Sequence, residues 1–235
     1  VGLHRARQMI RHGEAQRVLV VTSEAAIEPI YVHSYARLGV LPKLTPDAYR
    51  SLPLNAQRRG FVLTEVGAAV VVEAEADAGD RALARVPDTA IAAEANDVIR
   101  TPPTRESLIH IARRLLVDGV DLLHPHATGT VENDASELAA YAAALPYATP
   151  SPDLYACKGA LGHGLGSSGL TAVVLAALAA RTQRRPPMPW LTDPLSAGDP
   201  PLTPCWQPPD RSIRRQAVFA AGFGGHVAGA VIESV

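Results

Sequence analysis

The strongest constraint on the fold is one helical segment whose side chains are apolar nearly all round. From position 171 it runs Thr-Ala-Val-Val-Leu-Ala-Ala-Leu-Ala-Ala, the core of a helix predicted over residues 169–181. A helix of this kind has no polar face to present to water, so it is buried in the middle of a large fold. The sequence therefore predicts a layered architecture in which this helix is sandwiched between two mixed sheets.

Continuous apolar runs at residues 18–22 and 69–72 predict strands. Neither run alternates apolar and polar residues, which is typical of parallel strands covered on both faces. Further runs at residues 216–221 and 227–232 predict two more strands. Because helical and strand-like segments follow one another along the chain, the sequence predicts an α/β fold.

The overall composition excludes several classes of partner. The chain has 22 basic and 23 acidic residues, so no field of one sign attracts nucleic acid or an anionic membrane. The longest largely apolar run, residues 170–180, is shorter than the ~20 residues of a membrane-spanning helix. Cys157 and Cys205 form no Cys-x-x-Cys pair, and no apolar leader is present. We therefore expect a cytoplasmic protein without disulfides.

The first residues suggest that the chain begins inside a helix. Residues 1–13 have the pattern of the later turns of an amphipathic helix, with Leu3, Ala6 and Ile10 on one face. No N-terminal cap precedes them. We expect the chain to be the later part of something longer; a frayed helix at a true terminus is the alternative.

Two glycine-rich clusters carry the candidate reactive groups. The first, His-Ala-Thr-Gly-Thr-Val-Glu-Asn-Asp-Ala-Ser-Glu at residues 126–137, follows a short predicted strand, where ligand sites of α/β sheets usually lie. The second, Lys-Gly-Ala-Leu-Gly-His at residues 158–163, suits a loop that turns its lysine and histidine inward. A buried lysine needs a countercharge. We predict Glu137 as the partner of Lys158, with Asp134 as the second candidate.

Other interpretations of these clusters stay open at this point. His126 could satisfy buried backbone groups, and Lys158 could lie exposed in a solvated loop. The glycines of residues 162–169 could cradle a phosphate, although the Walker pattern is absent. A zinc site is also conceivable, but the spacing of its four candidate ligands matches no ordinary zinc set. Those candidates are His124, His126, Cys157 and His163.

Both clusters resemble the paired signatures of the β-ketoacyl-acyl carrier protein synthases (ketosynthases) of the thiolase superfamily. The family pattern is His-Gly-Thr-Gly-Thr, Asp, Glu, then Lys-x-x-x-Gly-His, and Ala127 replaces its first glycine. Further segments are similar to the family in the same order, so the resemblance covers essentially the whole chain. These segments are residues 1–15, 60–65, 186–194 and the Gly-Phe-Gly-Gly turn at 222–225.

The resemblance implies a thiolase-like layered αβαβα sandwich. Residues 1–90 would form the end of the N-terminal half, and residues 91–235 the whole C-terminal half. The family attacks its thioester with a cysteine, yet neither Cys157 nor Cys205 lies in the family's nucleophile context. The resemblance therefore places the nucleophile a few residues upstream of Val1.

The activity implied is that of an acyltransferase, the decarboxylative Claisen condensation of malonyl carrier protein with an acyl thioester in fatty acid, polyketide or polyene biosynthesis. By motif position, His126 and His163 would donate hydrogen bonds to the enolate oxygen. Lys158 would order the two histidines through Glu137. No metal or cofactor is implied, because the substrates are carried on the phosphopantetheine of acyl carrier protein.

The same resemblance assigns the substrate contacts and the partners. Thr128 and Thr130 would hold the pantetheine arm, while Phe223 and Gly224 would gate the pocket and contribute to an oxyanion hole. Ala220-Ala221 replace a Ser-Phe pair of the family, which suggests a specialised member. Expected partners are acyl carrier protein, an upstream segment carrying the cysteine, and a second ketosynthase-like subunit in a homo- or heterodimer.

Two functions of other classes compete with a condensing enzyme. One is a non-catalytic partner like a chain-length factor, which keeps the fold and lacks the chemistry. The other is a scaffold that only binds carrier protein. Partners like chain-length factors usually lose the histidines, so the presence of His126, Lys158 and His163 favours the enzyme.

Overall fold

A computed structural model of the chain describes residues 1–43, 50–94, 97, 102–145 and 150–235. Helices and strands alternate along it, as predicted for an α/β protein. The helices are α1 (Gly2–Arg11), α2 (Pro29–Arg37), α3 (Glu75–Ala78), α4 (Glu106–Leu115), α5 (Val131–Ala144), α6 (Lys158–Leu161) and α7 (Ser168–Thr182). The strands are β1 (Arg17–Glu24), β2 (Val66–Glu73), β3 (Thr89–Ala93), β4 (Leu122–His124), β5 (Asp153–Leu154), β6 (Arg215–Ala221) and β7 (His226–Glu233).

The described strands form two sheets. The larger has the order β3-β7-β6-β4-β5, in which β4 is parallel to both of its neighbours and β7 is antiparallel to both of its own. The smaller consists of β1 and β2, paired antiparallel with Arg17 opposite Glu73. Helices α1 and α7 lie between the sheets, and α4 and α5 pack on each other, with α4 also contacting β3 and β7. The result is a layered sandwich in which β6 is the middle strand of the larger sheet and β4 lies beside it.

Helix α7 packs against β2 on one side and β6 and β7 on the other, so it lies between two sheets as predicted. Only the larger sheet is mixed, because the described strands of the smaller one are antiparallel. Helix α7 is not buried all round, however, because the side chain of Leu178 is 44% exposed. The physical reason is the width of the covering layer, since β1 and β2 alone form a narrow ribbon. By length and composition alone, Leu165–Thr182 could cross a membrane, but its packing is that of a core helix.

The two strands predicted to be parallel and covered on both faces differ from that prediction. β1 and β2 are antiparallel, and burial alternates along each. Their outer face exposes Leu19, Val21 and Val71, which are 64%, 59% and 61% accessible. The sequence is apolar on both sides, but the described residues supply packing partners for one side only.

One further difference is a helix that the sequence did not predict. Weak periodicity and scattered prolines in residues 27–55 predict a loop-rich segment. Helix α2 lies within it, and its Pro29 occupies the first helical turn, where proline is well tolerated. The predicted division of the chain at residue 90 falls inside β3 and stays a prediction.

Candidate active site

The first cluster begins two residues after β4 ends, on the side of the larger sheet where the parallel strands β4, β5 and β6 end. The chain makes a tight turn there, in which Ala127 has φ of 36° and Gly129 has φ of 79°. A Cβ atom on Gly129 would lie 3.0 Å from the carbonyl oxygen of Gly60, so this position needs glycine. Ala127 adopts a left-handed conformation that side chains other than glycine seldom take. The turn therefore depends on outside contacts to hold its shape.

Helix α5 supplies those contacts through two buried carboxylates. The oxygens of Glu137 accept hydrogen bonds from the backbone N–H groups of His126 at 2.6 Å and Ala127 at 2.7 Å. Asp134 accepts from the N–H groups of Gly129 at 3.0 Å and Leu54 at 2.8 Å. Burial raises the pKa of Asp134 to about 6, although these donors oppose that shift. The two carboxylates thus hold the turn in place by accepting hydrogen bonds from its backbone N–H groups.

This arrangement corrects the predicted partner of Lys158. Its side chain is buried, and its Nζ donates to the carbonyl oxygen of His126. Among the described residues no ion pair joins Lys158 to Glu137 or Asp134, although both carboxylates favour its charge from a distance. Burial outweighs that attraction and lowers the pKa of Lys158. Lys158 therefore orders His126 directly, through its backbone.

The two histidines lie side by side, with ring centroids 5.5 Å apart and planes at 80°. Burial, followed by the charge of Lys158, lowers the pKa of both imidazoles well below the ordinary value. In His163, Nδ1 accepts the N–H of Leu165 at 3.1 Å and lies 2.9 Å from the Ser168 hydroxyl. An acceptor nitrogen carries no proton, so Nε2 of the neutral ring is the donor. The pair therefore stays uncharged at neutral pH.

Phe223 lies at the end of a row of aromatic rings that leads to this pair. Its ring is 49% exposed and stacks on Tyr35 at a centroid distance of 6.4 Å. Tyr35 meets Phe61 edge-on at 5.9 Å, and Phe61 meets His163 edge-on at 4.6 Å. Sequence reasoning missed Tyr35 and gave Phe61 no role. The only available signal was the position of Phe61 in the motif that follows Gly60.

The remaining predicted substrate contacts lie in turns around the site. The hydroxyl oxygens of Thr128 and Thr130 are 3.0 Å apart, and the Thr130 hydroxyl also caps α5 by accepting the N–H of Asn133 at 3.3 Å. Gly224 lies in the turn between β6 and β7, beside Phe223. The roles assigned to these residues stay predictions, because no substrate atom is present to contact them.

His124, two residues before His126, faces a different part of the core. Its Nε2 lies 2.9 Å from Oε1 of Gln216 on β6. Within the part of the chain that the structure describes, no group of three or more histidine, cysteine, aspartate or glutamate side chains could hold a metal ion. The zinc interpretation of His124, His126, Cys157 and His163 therefore has no support from the geometry.

Comparison with known proteins identifies the family of the chain. Sequence models of two domain families match the chain: "Beta-ketoacyl synthase, N-terminal domain" over residues 1–78 and "Beta-ketoacyl synthase, C-terminal domain" over residues 83–191. A relative from Mycobacterium leprae, 3-oxoacyl-[acyl-carrier-protein] synthase 2, is 32% identical over 193 residues, which cover 77% of this chain and 46% of the relative. Putative polyketide beta-ketoacyl synthase 1 of Streptomyces halstedii is 30% identical over 241 residues, 97% of this chain and 56% of the relative.

Solved structures show the fold. An acyl carrier protein complex with its ketosynthase from a type II polyketide synthase matches with a TM-score of 0.87 and 23% identity, covering 100% of this chain and 60% of that one. A keto synthase–chain length factor structure matches with a TM-score of 0.88 and 23% identity, covering 100% and 26%. These matches confirm the thiolase-like layered fold. The chain spans about half the length of the curated relatives it matches.

Proposed function

Since the chain belongs to the β-ketoacyl synthase family, we propose that it carries the histidine half of an active site for decarboxylative condensation. The substrates would be malonyl and acyl thioesters of fatty acid, polyketide or polyene biosynthesis. One observation carries the proposal: two buried, neutral imidazoles lie 5.5 Å apart next to a buried lysine. Preorganised hydrogen-bond donors of this kind stabilise negative charge on a thioester oxygen.

In the proposed reaction, the bond between the malonyl carboxylate and its α-carbon breaks, and carbon dioxide leaves. The electron pair stays on the thioester as an enolate, whose oxygen accepts N–H hydrogen bonds from His126 and His163. The donors must be neutral, because imidazolium could protonate the enolate carbon and end the reaction. The α-carbon then attacks the acyl thioester, and the thiolate of its carrier cysteine leaves.

Lys158 has two effects on this site. Its charge acts with burial to hold the pKa of both imidazoles low, so the donors remain neutral. Its hydrogen bond to the carbonyl oxygen of His126 fixes the backbone that carries one of them. Thr128 and Thr130 would hold the pantetheine arm, and Phe223 and Gly224 would close the entrance. No metal or cofactor takes part.

The proposed partners follow from the substrates and from the exposed sheet face. One similar structure is an acyl carrier protein bound to its ketosynthase, which supports carrier protein as the donor of both substrates. The outer face formed by Leu19, Val21 and Val71 supports packing by further chain, because each such side chain gains about 1.5–3 kcal/mol when buried. That chain would be an upstream segment bearing the cysteine, in a homo- or heterodimer with a ketosynthase-like subunit in the cytoplasm.

The test separates two half-reactions in the full-length protein. We expect His163→Ala to abolish release of carbon dioxide from malonyl carrier protein, while acyl transfer onto the cysteine stays within about threefold. The control is His124→Gln, because His124 is a nearby buried histidine that faces Gln216 and should leave both steps intact. Equal loss of both steps in His163→Ala would indicate a structural role. A wild-type protein that releases no carbon dioxide would indicate the non-catalytic partner.

A further inference from the structure

A tyrosine hydroxyl lies fully buried behind the histidine turn. Tyr141 is 0% exposed, and its hydroxyl donates to Oε1 of Glu137 at 2.6 Å. The two residues are four positions apart on α5, so their side chains share one face of the helix. The ring of Tyr141 also packs against Phe219 of β6, with centroids 5.0 Å apart. Burial, followed by the charge of Glu137, raises the pKa of Tyr141 well above its ordinary value, so the hydroxyl stays a donor.

Asn133 supplies a second donor to the same carboxylate. Its Nδ2 lies 3.0 Å from Oε2 of Glu137 and 3.1 Å from Oδ1 of Asp134. The amide can point only this way, because its Oδ1 accepts a hydrogen bond from the buried guanidinium of Arg105 at 2.9 Å. Arg105 thus fixes the amide, and the amide contacts both carboxylates.

Together these contacts restrain the carboxylate of Glu137. Oε1 accepts from the His126 N–H and the Tyr141 hydroxyl, while Oε2 accepts from the Ala127 N–H and the Asn133 amide. Two donors on each oxygen define the plane of the carboxylate. Removing one donor frees that plane, and the two backbone N–H groups of the turn then lose a fixed acceptor.

We propose that Tyr141 and Asn133 are positioning residues for condensation, acting through Glu137 on the backbone that carries His126. The inference rests on the proposed function. The turn needs such restraint because Ala127 has a φ of 36°, a strained conformation for alanine. If the turn relaxes, the imidazole of His126 moves relative to His163. A misplacement of about 1 Å can cost about a hundredfold in rate, so a partial one should be easily measured.

The first experiment uses Tyr141→Phe in the full-length protein, since phenylalanine keeps the ring against Phe219 and removes only the hydroxyl. We expect kcat for decarboxylation of malonyl carrier protein to fall roughly tenfold, with KM changed by less than about twofold. The matched control is Tyr155→Phe, because Tyr155 is also buried but its ring contacts His124 at 5.9 Å. An unchanged kcat, or the same loss in the control, would overturn the proposal.

A second measurement does not depend on activity. Amide hydrogen exchange at His126 and Ala127 should accelerate in Tyr141→Phe and in Asn133→Ala, and stay unchanged in Tyr155→Phe. Asn133→Ala serves as the second variant if Tyr141→Phe does not fold. If exchange at these two amides is unaltered, Tyr141 and Asn133 do not restrain the turn through Glu137, even where kcat falls. A wild-type protein that releases no carbon dioxide refutes the proposed function, while the exchange data still decide whether Tyr141 and Asn133 fix the turn.

Discussion

Acid should destabilise this protein through His124. The side chain is 1% exposed at the end of β4, and Nε2 lies 2.9 Å from Oε1 of Gln216. Gln216 uses its amide nitrogen to donate to the Ala176 carbonyl, so its oxygen must be the acceptor. Nε2 of His124 therefore carries a proton and donates to Gln216. Burial lowers the pKa of His124 from 6.5 to about 4, although the hydrogen bond to Gln216 opposes the shift.

The sign follows from proton uptake. Below its ordinary pKa the unfolded chain binds a proton at His124, whereas the folded protein does not until the pH approaches about 4. The contribution of His124 to stability is thus fully present above pH 6.5 and is lost as the pH falls toward 4. A difference of about 2.5 pKa units at about 1.4 kcal/mol each gives a loss of about 3 kcal/mol.

The perturbation is His124→Gln, which places an amide nitrogen near the position of Nε2 and removes the titration. Urea unfolding of both proteins between pH 7 and about pH 4 gives the difference in free energy of unfolding at each pH. We expect that difference to shift by about 3 kcal/mol in favour of the variant as the pH falls. His126, His163 and Asp134 titrate in both proteins, so their contributions cancel in the difference in free energy of unfolding. A difference that does not vary with pH would refute the burial argument.

Two further predictions concern stability elsewhere in the fold. Asp153→Asn should lower the free energy of unfolding, measured in urea, by about 3–5 kcal/mol, because it leaves the buried guanidinium of Arg185 without its carboxylate. The double variant with Arg185→Met should recover much of that loss. Equal stabilities of the single and double variants would contradict this. Gly225→Ala should lower the melting temperature, because Gly225 has φ of 76° and a Cβ there would lie 2.0 Å from the Glu94 carbonyl oxygen. Gly222→Ala is the matched control, since its Cβ would meet nothing within 4 Å, and a similar loss in both would count against the steric argument.

Much of the fold followed from patterns that are local in sequence. The apolar helix α7 and strands β6 and β7 lie within a residue or two of their predicted bounds. Helix α2 was missed because weak periodicity and scattered prolines in residues 27–55 suggested a loop, whereas proline at the start of a helix leaves no hydrogen bond unmade. The exposed face of β1 and β2 could not be predicted, because an apolar run does not tell which of its faces finds a partner.

The candidate site divides in the same way. Motif order was enough to nominate His126, Lys158 and His163, but their meeting depends on contacts between residues more than thirty positions apart. The pairing of Lys158 with Glu137 was wrong because it was argued from charge alone. A turn with a left-handed residue presents several backbone N–H groups in one direction, and no rule of residue spacing reveals them. Tyr141 and Asn133 were missed because Glu137, the carboxylate they contact, was assigned to Lys158.

The actual partners of Lys158 and Glu137 determine the charge next to the two histidines. A Lys158–Glu137 ion pair would have neutralised the lysine and left the imidazoles without a positive neighbour. Instead the carboxylate of Glu137 accepts four hydrogen bonds from other groups. The ammonium of Lys158 donates to the backbone carbonyl oxygen of His126, beside the rings. Its charge therefore adds to the effect of burial on the pKa of both His126 and His163. Because the imidazoles are kept neutral by the protein and not by the pH of the solution, they could donate hydrogen bonds to the enolate of the proposed reaction without protonating it.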